Sequence, residues 1–74
     1  MYQVTLEKKE TVYQVTLEAA RRNKKYTQEI AAKLIGVSVS TIKNWEKGRT
    51  QPTQKKIEKI CEVYGVSYDA IFFG

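Results

Sequence analysis

The side chains best suited to chemistry lie on one face of a short segment near the middle of the chain. Their spacing of i, i+1, i+4, i+5 and i+8 places them on one side of a helix, and they are Val39, Ser40, Lys43, Asn44 and Lys47. An amide can bind adenine N6 and N7, an ammonium can reach guanine or a phosphate, and valine can pack on a thymine methyl. An ordinary solvated helix surface is the alternative for such a face.

Other kinds of site lack the residues they need. The chain of 74 residues has one cysteine and no histidine, which excludes Ser-His and Cys-His pairs and any intramolecular disulfide. Too few ligands remain for zinc. No carboxylate pair and no phosphate-cradling loop is recognisable, so we expect no enzymatic activity, no metal, no cofactor and no small-molecule ligand.

The positive charge is concentrated in the middle of the sequence. The chain has a net charge of +5, yet residues 19–56 carry ten lysines and arginines against two glutamates, a balance of +8. Such a distribution is typical of a protein with a polyanionic partner. On charge alone, a lysine-rich solvated surface is an equally good explanation.

Two short helices separated by one glycine must position the face described above. Thr27 is the expected N-cap of the first helix, which ends at Gly36. Its inward residues should be Ile30, Ala31, Leu34 and Ile35. Ser38 is the expected N-cap of the second helix, and Ile42 and Trp45 should point inward from it. This arrangement predicts a helix-turn-helix.

Three further helices are expected around this pair. In chain order, helix one begins after an N-cap at Thr16 and ends near residues 23–25, and the pair described above forms helices two and three. Helix four follows Thr53, and a short helix five follows Ser67. The inward residues of the fourth helix should be Ile57, Ile60, Cys61 and Tyr64. The sequence therefore predicts an all-α, compact five-helix domain over residues 16–74.

A direct repeat precedes this domain, because Tyr2–Glu7 and Tyr13–Glu18 both read YQVTLE. Residues 1–15 are therefore predicted to form a short extended or poorly ordered N-terminal arm. A hairpin with a turn at residues 7–10 is one interpretation, although an isolated hairpin is marginal in water. A tandem duplication, or an extension added before the domain, is the preferred one.

Neither a membrane span nor a targeting segment is recognisable. The sequence has no apolar run approaching the roughly 20 residues that cross a bilayer, and no signal-peptide pattern at its start. The expected location is therefore the cytoplasm, and no membrane partner is expected.

Several short pieces stand in a characteristic order and spacing between Leu17 and Phe73: Ala20-Arg21, Thr27-Gln28-Glu29, Gly36-Val37-Ser38, Ser40-Thr41-Ile42, Trp45-Glu46, Gly48 with Pro52, and Gly65-Val66-Ser67. Through these pieces the segment resembles the XRE, or Cro/C1-type, family of λ-repressor-like helix-turn-helix domains. The closing run, residues 68–73, looks most like small phage or mobile-element regulators.

This resemblance implies a role for each matching position. The residues expected to contact DNA bases are Val39, Ser40, Lys43 and Asn44. Those expected to contact the DNA backbone are Gln28, Thr41, Lys47, Arg49, Thr50 and Lys55. Arg21 and Glu46 occupy the positions of a buried ion pair, and Gln28 is also placed to touch a residue of the third helix. The possible dimer interface comprises Tyr68, Ile71, Phe72 and Phe73.

The function implied is that of a sequence-specific transcriptional regulator that binds double-stranded DNA. We expect a Cro-like repressor that binds an inverted repeat as a homodimer through residues 38–47, with half-sites about 34 Å apart. An antitoxin or a protein-interaction module of the same fold is the alternative.

Lys25 departs from the family, which often has glycine there. A left-handed lysine costs roughly 1 kcal/mol, so the end of helix one is expected to differ.

Overall fold

Four α-helices and one short pair of strands make up residues 14–73, the part of the chain that this computed structural model describes. The elements are β1 (Val15–Thr16), α1 (Leu17–Asn23), α2 (Gln28–Ile35), α3 (Val39–Glu46), α4 (Gln54–Tyr64), a 3-10 turn (Tyr68–Ala70) and β2 (Ile71–Phe72). The predicted N-terminal arm lies mostly in residues 1–13, outside the described residues. The division of the chain at residue 16 stays a prediction.

Each α-helix begins at a hydroxyl side chain that accepts a backbone hydrogen bond. Thr16, Thr27, Ser38 and Thr53 accept from the N–H three residues ahead, at 3.1–3.3 Å. Each of these bonds satisfies one of the N–H groups that a helix start leaves unpaired. Four of the five predicted N-caps are thus confirmed, and they fix where the α-helices start.

The α1–α2 connection contains a left-handed lysine. Gly36 and Gly65 end α2 and α4 with φ of 88° and 68°, as glycine readily does. Lys25 adopts the same region with φ of 63°. The expectation that the end of helix one would differ was wrong, because the rest of the turn holds this backbone conformation even without a glycine.

Replacing Lys25 with glycine should therefore raise the free energy of unfolding, by about 1 kcal/mol, because the strain of a left-handed side chain disappears. Lys24→Gly is the matched control, since Lys24 has an ordinary helical φ of −88°. There the added flexibility of the unfolded chain should lower stability instead. Urea denaturation of the two variants should give shifts of opposite sign, and shifts of the same sign would contradict this account of the turn.

The core lies where α1, α2, α3 and α4 meet. Its buried apolar residues are Leu17, Ala20, Ala31, Ala32, Ile35, Ile42, Ile60, Tyr64 and Ile71. Two residues predicted to be inward are not, since Ile30 and Leu34 are each 45% exposed. The neighbouring helices cover the Ala31–Ala32–Ile35 side of α2, so its buried stripe is rotated away from the two large side chains.

The C-terminal segment differs from the predicted fifth helix. Residues 68–70 form a single 3-10 turn, and the Ser67 side chain makes no cap hydrogen bond. The chain then extends into β2, which pairs in parallel with β1 in the register Val15↔Ile71 and Thr16↔Phe72. The all-α, five-helix prediction is corrected accordingly: within residues 14–73 there are four α-helices and a two-stranded sheet.

The buried phenol of Tyr64 makes stability depend on alkaline pH. The side chain lies in the core with its ring centroid 6.4 Å from that of Tyr26, and burial raises the pKa of Tyr64 to about 12. The ordinary value is about 10. Between these values the unfolded chain has lost a proton that the folded chain retains, so stability falls as pH rises through this window.

We expect the contribution of Tyr64 to this fall to approach about 1.4 kcal/mol per pH unit between pH 10 and 12. Tyr64→Phe should remove that contribution, whereas Tyr68→Phe, at a ring that is 55% exposed, should leave it unchanged. Urea denaturation from pH 9 to 12 measures all three proteins. An identical slope in the wild type and Tyr64→Phe would contradict the assignment.

Candidate nucleic-acid interface

One fully buried side chain anchors α3 to the rest of the domain. Ile42 is 1% exposed, and it is the buried residue of this helix. Val39 and Trp45 are half-buried and pack against the same core. Because Val39 contributes to packing, only part of its surface is open to a partner outside the domain.

The opposite side of α3 presents a polar and basic stripe. Ser40, Lys43 and Lys47 are exposed at i, i+3 and i+7, and Asn44 is half-buried beside them. Of the residues named from the sequence for base contact, Ser40, Lys43 and Asn44 share this side, with Ser40 and Lys43 the most accessible, whereas Val39 packs partly against the core. Such a stripe has the size and chemistry to enter a major groove.

The loop after α3 continues this basic surface. Gly48 turns the chain with φ of 73°, and the Arg49 N–H donates to the Asn44 carbonyl at 2.9 Å. This bond places Arg49 and Thr50, both exposed, directly beyond the end of α3. Lys55 is exposed in the first turn of α4, where free N–H groups also favour anions.

A buried ion pair joins α1 to the last residue of α3. The Arg21 Nε lies 2.7 Å from Glu46 Oε2, and Arg21 Nη2 donates to Oε1 at 3.2 Å. The two side chains are 8% and 7% exposed. The hydrogen bond to Glu46 raises the pKa of Arg21 above its ordinary value, although burial opposes this. This bidentate contact fixes the relative orientation of the two side chains as well as the distance between them.

Two further groups complete the network around this pair. The Gln28 Nε2 donates to Glu46 Oε1 at 3.2 Å, and Arg21 Nη1 donates to the Tyr26 carbonyl at 2.9 Å. One carboxylate thus receives hydrogen bonds from α1 and α2 while itself belonging to α3. Gln28 therefore touches a residue of α3, as the resemblance implied.

Comparison with known proteins agrees with this geometry. A family profile described as helix-turn-helix matches residues 17–71, from the start of α1 to β2. The chain belongs to the helix-turn-helix family of the XRE, or Cro/C1, type.

Two curated relatives of this helix-turn-helix chain carry names of transcriptional regulators. Over 54 residues it is 35% identical to "HTH-type transcriptional regulator DicA" of Escherichia coli (strain K12), covering 73% of this chain and 40% of that protein. Over 55 residues it is 36% identical to "Uncharacterized HTH-type transcriptional regulator YazB" of Bacillus subtilis (strain 168), covering 74% and 80%. The chain thus spans less than half of DicA. No solved structure matches this chain significantly.

Some polar groups of the helix-turn-helix are already engaged within the domain. The Thr41 hydroxyl lies 3.0 Å from that of Ser38, and Gln28 binds Glu46. Each retains further hydrogen-bonding capacity, so both remain able to meet a phosphate. Sequence reasoning missed the Tyr26 carbonyl, since no side-chain type signals which backbone oxygen an arginine will reach.

The predicted dimer residues of this helix-turn-helix domain fall into two groups. Ile71 is 3% exposed in the core of its own chain. Tyr68 and Phe72 are each 55% exposed, and Phe73 is half-buried with its ring 5.9 Å from that of Tyr68. An interface at this end of the domain would therefore rest on Tyr68, Phe72 and part of Phe73.

Residues 14–73 offer neither a metal-binding cluster nor a membrane-spanning helix. No group of three or more cysteine or carboxylate side chains is placed to hold a metal ion. None of the helices in this part of the chain is both long and apolar enough to cross a membrane.

Proposed function

We propose that this protein is a sequence-specific transcriptional regulator of double-stranded DNA, acting as a Cro-like repressor. It would bind an inverted-repeat operator as a homodimer through residues 38–47, with α3 in the major groove. The observation that carries this proposal is the exposed Ser40–Lys43–Lys47 stripe on a helix whose other side is anchored by Ile42. The family to which the chain belongs supports the same reading.

Base recognition is assigned to the accessible residues of α3. Lys43 would pair with guanine O6 and N7, Asn44 with adenine N6 and N7, and Ser40 with either a donor or an acceptor. The exposed part of Val39 would contact a thymine methyl. Replacing Asn44 should therefore relax preference at one base position rather than weaken binding to all sequences equally.

Backbone contacts are assigned to the groups around α3. The residues proposed to bind phosphates are Gln28, Thr41, Lys47, Arg49, Thr50 and Lys55. Such contacts set the register of the protein on DNA and supply affinity that is independent of sequence. The balance of +8 over residues 19–56 supports this assignment.

A homodimer is proposed because one short recognition helix reads only a few base pairs. Two-fold symmetry would place two copies of α3 about 34 Å apart, one helical turn of DNA. The exposed rings of Tyr68 and Phe72 are the surface proposed for the contact between protomers. Exposed aromatic residues are enriched at such interfaces.

In vitro selection from random duplex DNA at physiological salt tests this proposal. We expect enrichment of an inverted repeat whose half-sites are centred about one helical turn apart. The salt level matters because phosphate contacts alone give non-specific binding at low salt. Enrichment without symmetry would exclude the dimer, and no enrichment at all would contradict sequence-specific binding.

An antitoxin or protein-interaction module is the second candidate. The exposed apolar side chains of Ile30, Leu34, Tyr68 and Phe72 favour it. A protein partner would leave the selection experiment without an enriched sequence, and a toxin gene next to the gene for this chain would support that reading.

A further inference from the structure

A cleft of about 120 Å³, partly open to solvent, lies beside the C-terminal end of α3. Its lining comes from the start of α1, the end of α3 with the loop that follows it, and residues 72 and 73. Because these segments are far apart in the sequence, no local pattern indicates a site here. The sequence accordingly predicted no small-molecule ligand, and the cleft forms only when the segments fold together.

Three aromatic rings, those of Trp45, Phe72 and Phe73, line this cleft. Trp45 and Phe73 are half-buried and pack against the core, so the domain itself holds them in place. Phe72 is 55% exposed. An apolar cavity of about 150 Å³ is large enough to bind benzene. The cleft is similar in size and partly open, so it has room for one aromatic ring.

Two charged side chains, Glu46 and Lys47, also line the cleft. The Glu46 carboxylate accepts hydrogen bonds from Arg21 and Gln28 at 2.7–3.2 Å, and Arg21 compensates its charge. The Lys47 side chain is exposed at the end of α3, and Arg49 is exposed just beyond it. The cleft thus combines an aromatic lining with a positive rim, which favours a ring that carries a negative group.

We propose that this cleft binds a small aromatic carboxylate with a single ring. The ring packs against Trp45 and Phe72, where offset or edge-to-face contacts between aromatic rings stabilise it. The carboxylate pairs with the Lys47 ammonium at the rim. Benzoate is the simplest such ligand, and with about nine non-hydrogen atoms it should bind with a dissociation constant in the millimolar range.

Binding at this cleft requires neither DNA nor a dimer, and it therefore goes beyond the proposed function. Its effect on DNA does rest on that function, because Lys47 is among the residues proposed to bind a phosphate. A carboxylate on Lys47 competes with that phosphate. Saturating benzoate should then weaken operator binding by about two- to five-fold, the value of one exposed ion pair. A small aromatic acid is in this way an effector of the proposed repressor.

The fluorescence of Trp45, the single tryptophan of the chain, reports occupation of the cleft in the full chain without DNA. Titration with sodium benzoate should give a saturable change. Sodium acetate carries the charge without the ring and should give none. Benzyl alcohol carries the ring without the charge and should bind about two- to five-fold more weakly than benzoate. No saturable change with benzoate, or an equal change with acetate, would overturn the site.

Two pairs of variants locate the binding. Phe72→Ala should weaken benzoate binding by about five- to ten-fold, whereas Leu34→Ala, at an exposed residue outside the lining, should change it by less than about two-fold. Lys47→Gln should weaken binding of benzoate by about two- to five-fold but not that of benzyl alcohol. Lys43→Gln makes the same charge change outside the lining and should affect neither ligand. Equal losses within either pair would contradict the proposed contacts.

A second copy of the chain is the alternative occupant, because Phe72 also belongs to the surface proposed for the dimer. Self-association through the cleft would make the apparent dissociation constant of benzoate rise with protein concentration. We expect the same constant over an about ten-fold range of protein concentration. A rise would assign the cleft to the partner copy and reject the ligand site.

Operator titrations with and without benzoate, at constant ionic strength, complete the test. Benzoate that binds the free protein but leaves operator affinity unchanged would contradict competition at Lys47. Selection of an operator without any binding of benzoate would reject the ligand site and leave the proposed function standing. Binding of benzoate without any operator selection would do the reverse.

Discussion

Replacement of Glu46 with alanine should lower the free energy of unfolding by about 3–5 kcal/mol, enough to abolish most of the stability of so small a domain. The truncation leaves the Arg21 guanidinium buried without its carboxylate, and its two hydrogen bonds to Glu46 are lost. Gln28 loses its partner at the same time. Desolvation of an unpaired charge, rather than loss of the attraction itself, accounts for most of the expected cost.

Urea denaturation is the appropriate measurement, and the chain offers a matched control. Arg22 and Glu18 form an ion pair at 2.9 Å whose side chains are 70% and 48% exposed. Arg22→Ala should therefore cost less than about 0.5 kcal/mol. If Glu46→Ala does not fold, Glu46→Gln keeps one oxygen for Arg21 and should show an intermediate loss. A Glu46→Ala protein as stable as Arg22→Ala would contradict a structural role for the buried pair.

Replacement of Lys43 with alanine should weaken binding to the selected operator by about 10- to 100-fold, the value of one good base contact. Lys43 is exposed in the middle of the α3 stripe, so the substitution should leave the melting temperature nearly unchanged. Binding to unrelated DNA should fall much less. The preference at one base position of each half-site should disappear, because no other side chain replaces the ammonium there.

Lys59→Ala is the matched control for this experiment. Lys59 is an exposed lysine of α4 whose Nζ lies 3.6 Å from Glu62, and it is assigned no DNA contact. The two variants have the same net charge, so any difference in operator affinity reports position rather than charge. Titrations should be run at several salt concentrations. Equal losses in Lys43→Ala and Lys59→Ala would remove α3 from base recognition.

Local signals made most of the helical framework predictable from the sequence. The hydroxyl residues at 16, 27, 38 and 53 cap their helices as predicted, because an N-cap depends only on the next three residues. Gly36 and Gly65 end helices for an equally local reason. Arg21 and Glu46 were paired in advance only through the family resemblance, since no spacing rule joins residues on separate helices.

The remaining features depend on tertiary contacts. Leu34 is apolar and helical in spacing, yet it is exposed, because α3 and α4 pack on the Ala31–Ala32–Ile35 side of α2. The pairing of Val15 with Ile71 joins opposite ends of the domain, and no local pattern reports such a partner. Lys25 adopts a left-handed backbone conformation because two hydrogen bonds stabilise its turn. The Tyr26 N–H donates to the Arg21 carbonyl, and the Arg21 guanidinium donates to the Tyr26 carbonyl.

The anchoring of α3 by Ile42 has a consequence for how such proteins diversify. The residues that hold this helix in place and the residues proposed to read DNA are almost separate sets, since Ser40 and Lys43 contribute nothing to the core. Changes at the outer positions can therefore accumulate without a compensating change in packing. A duplicated gene could acquire a new operator through a few such substitutions, and Val39, which serves both sets, should be the slowest of them to vary.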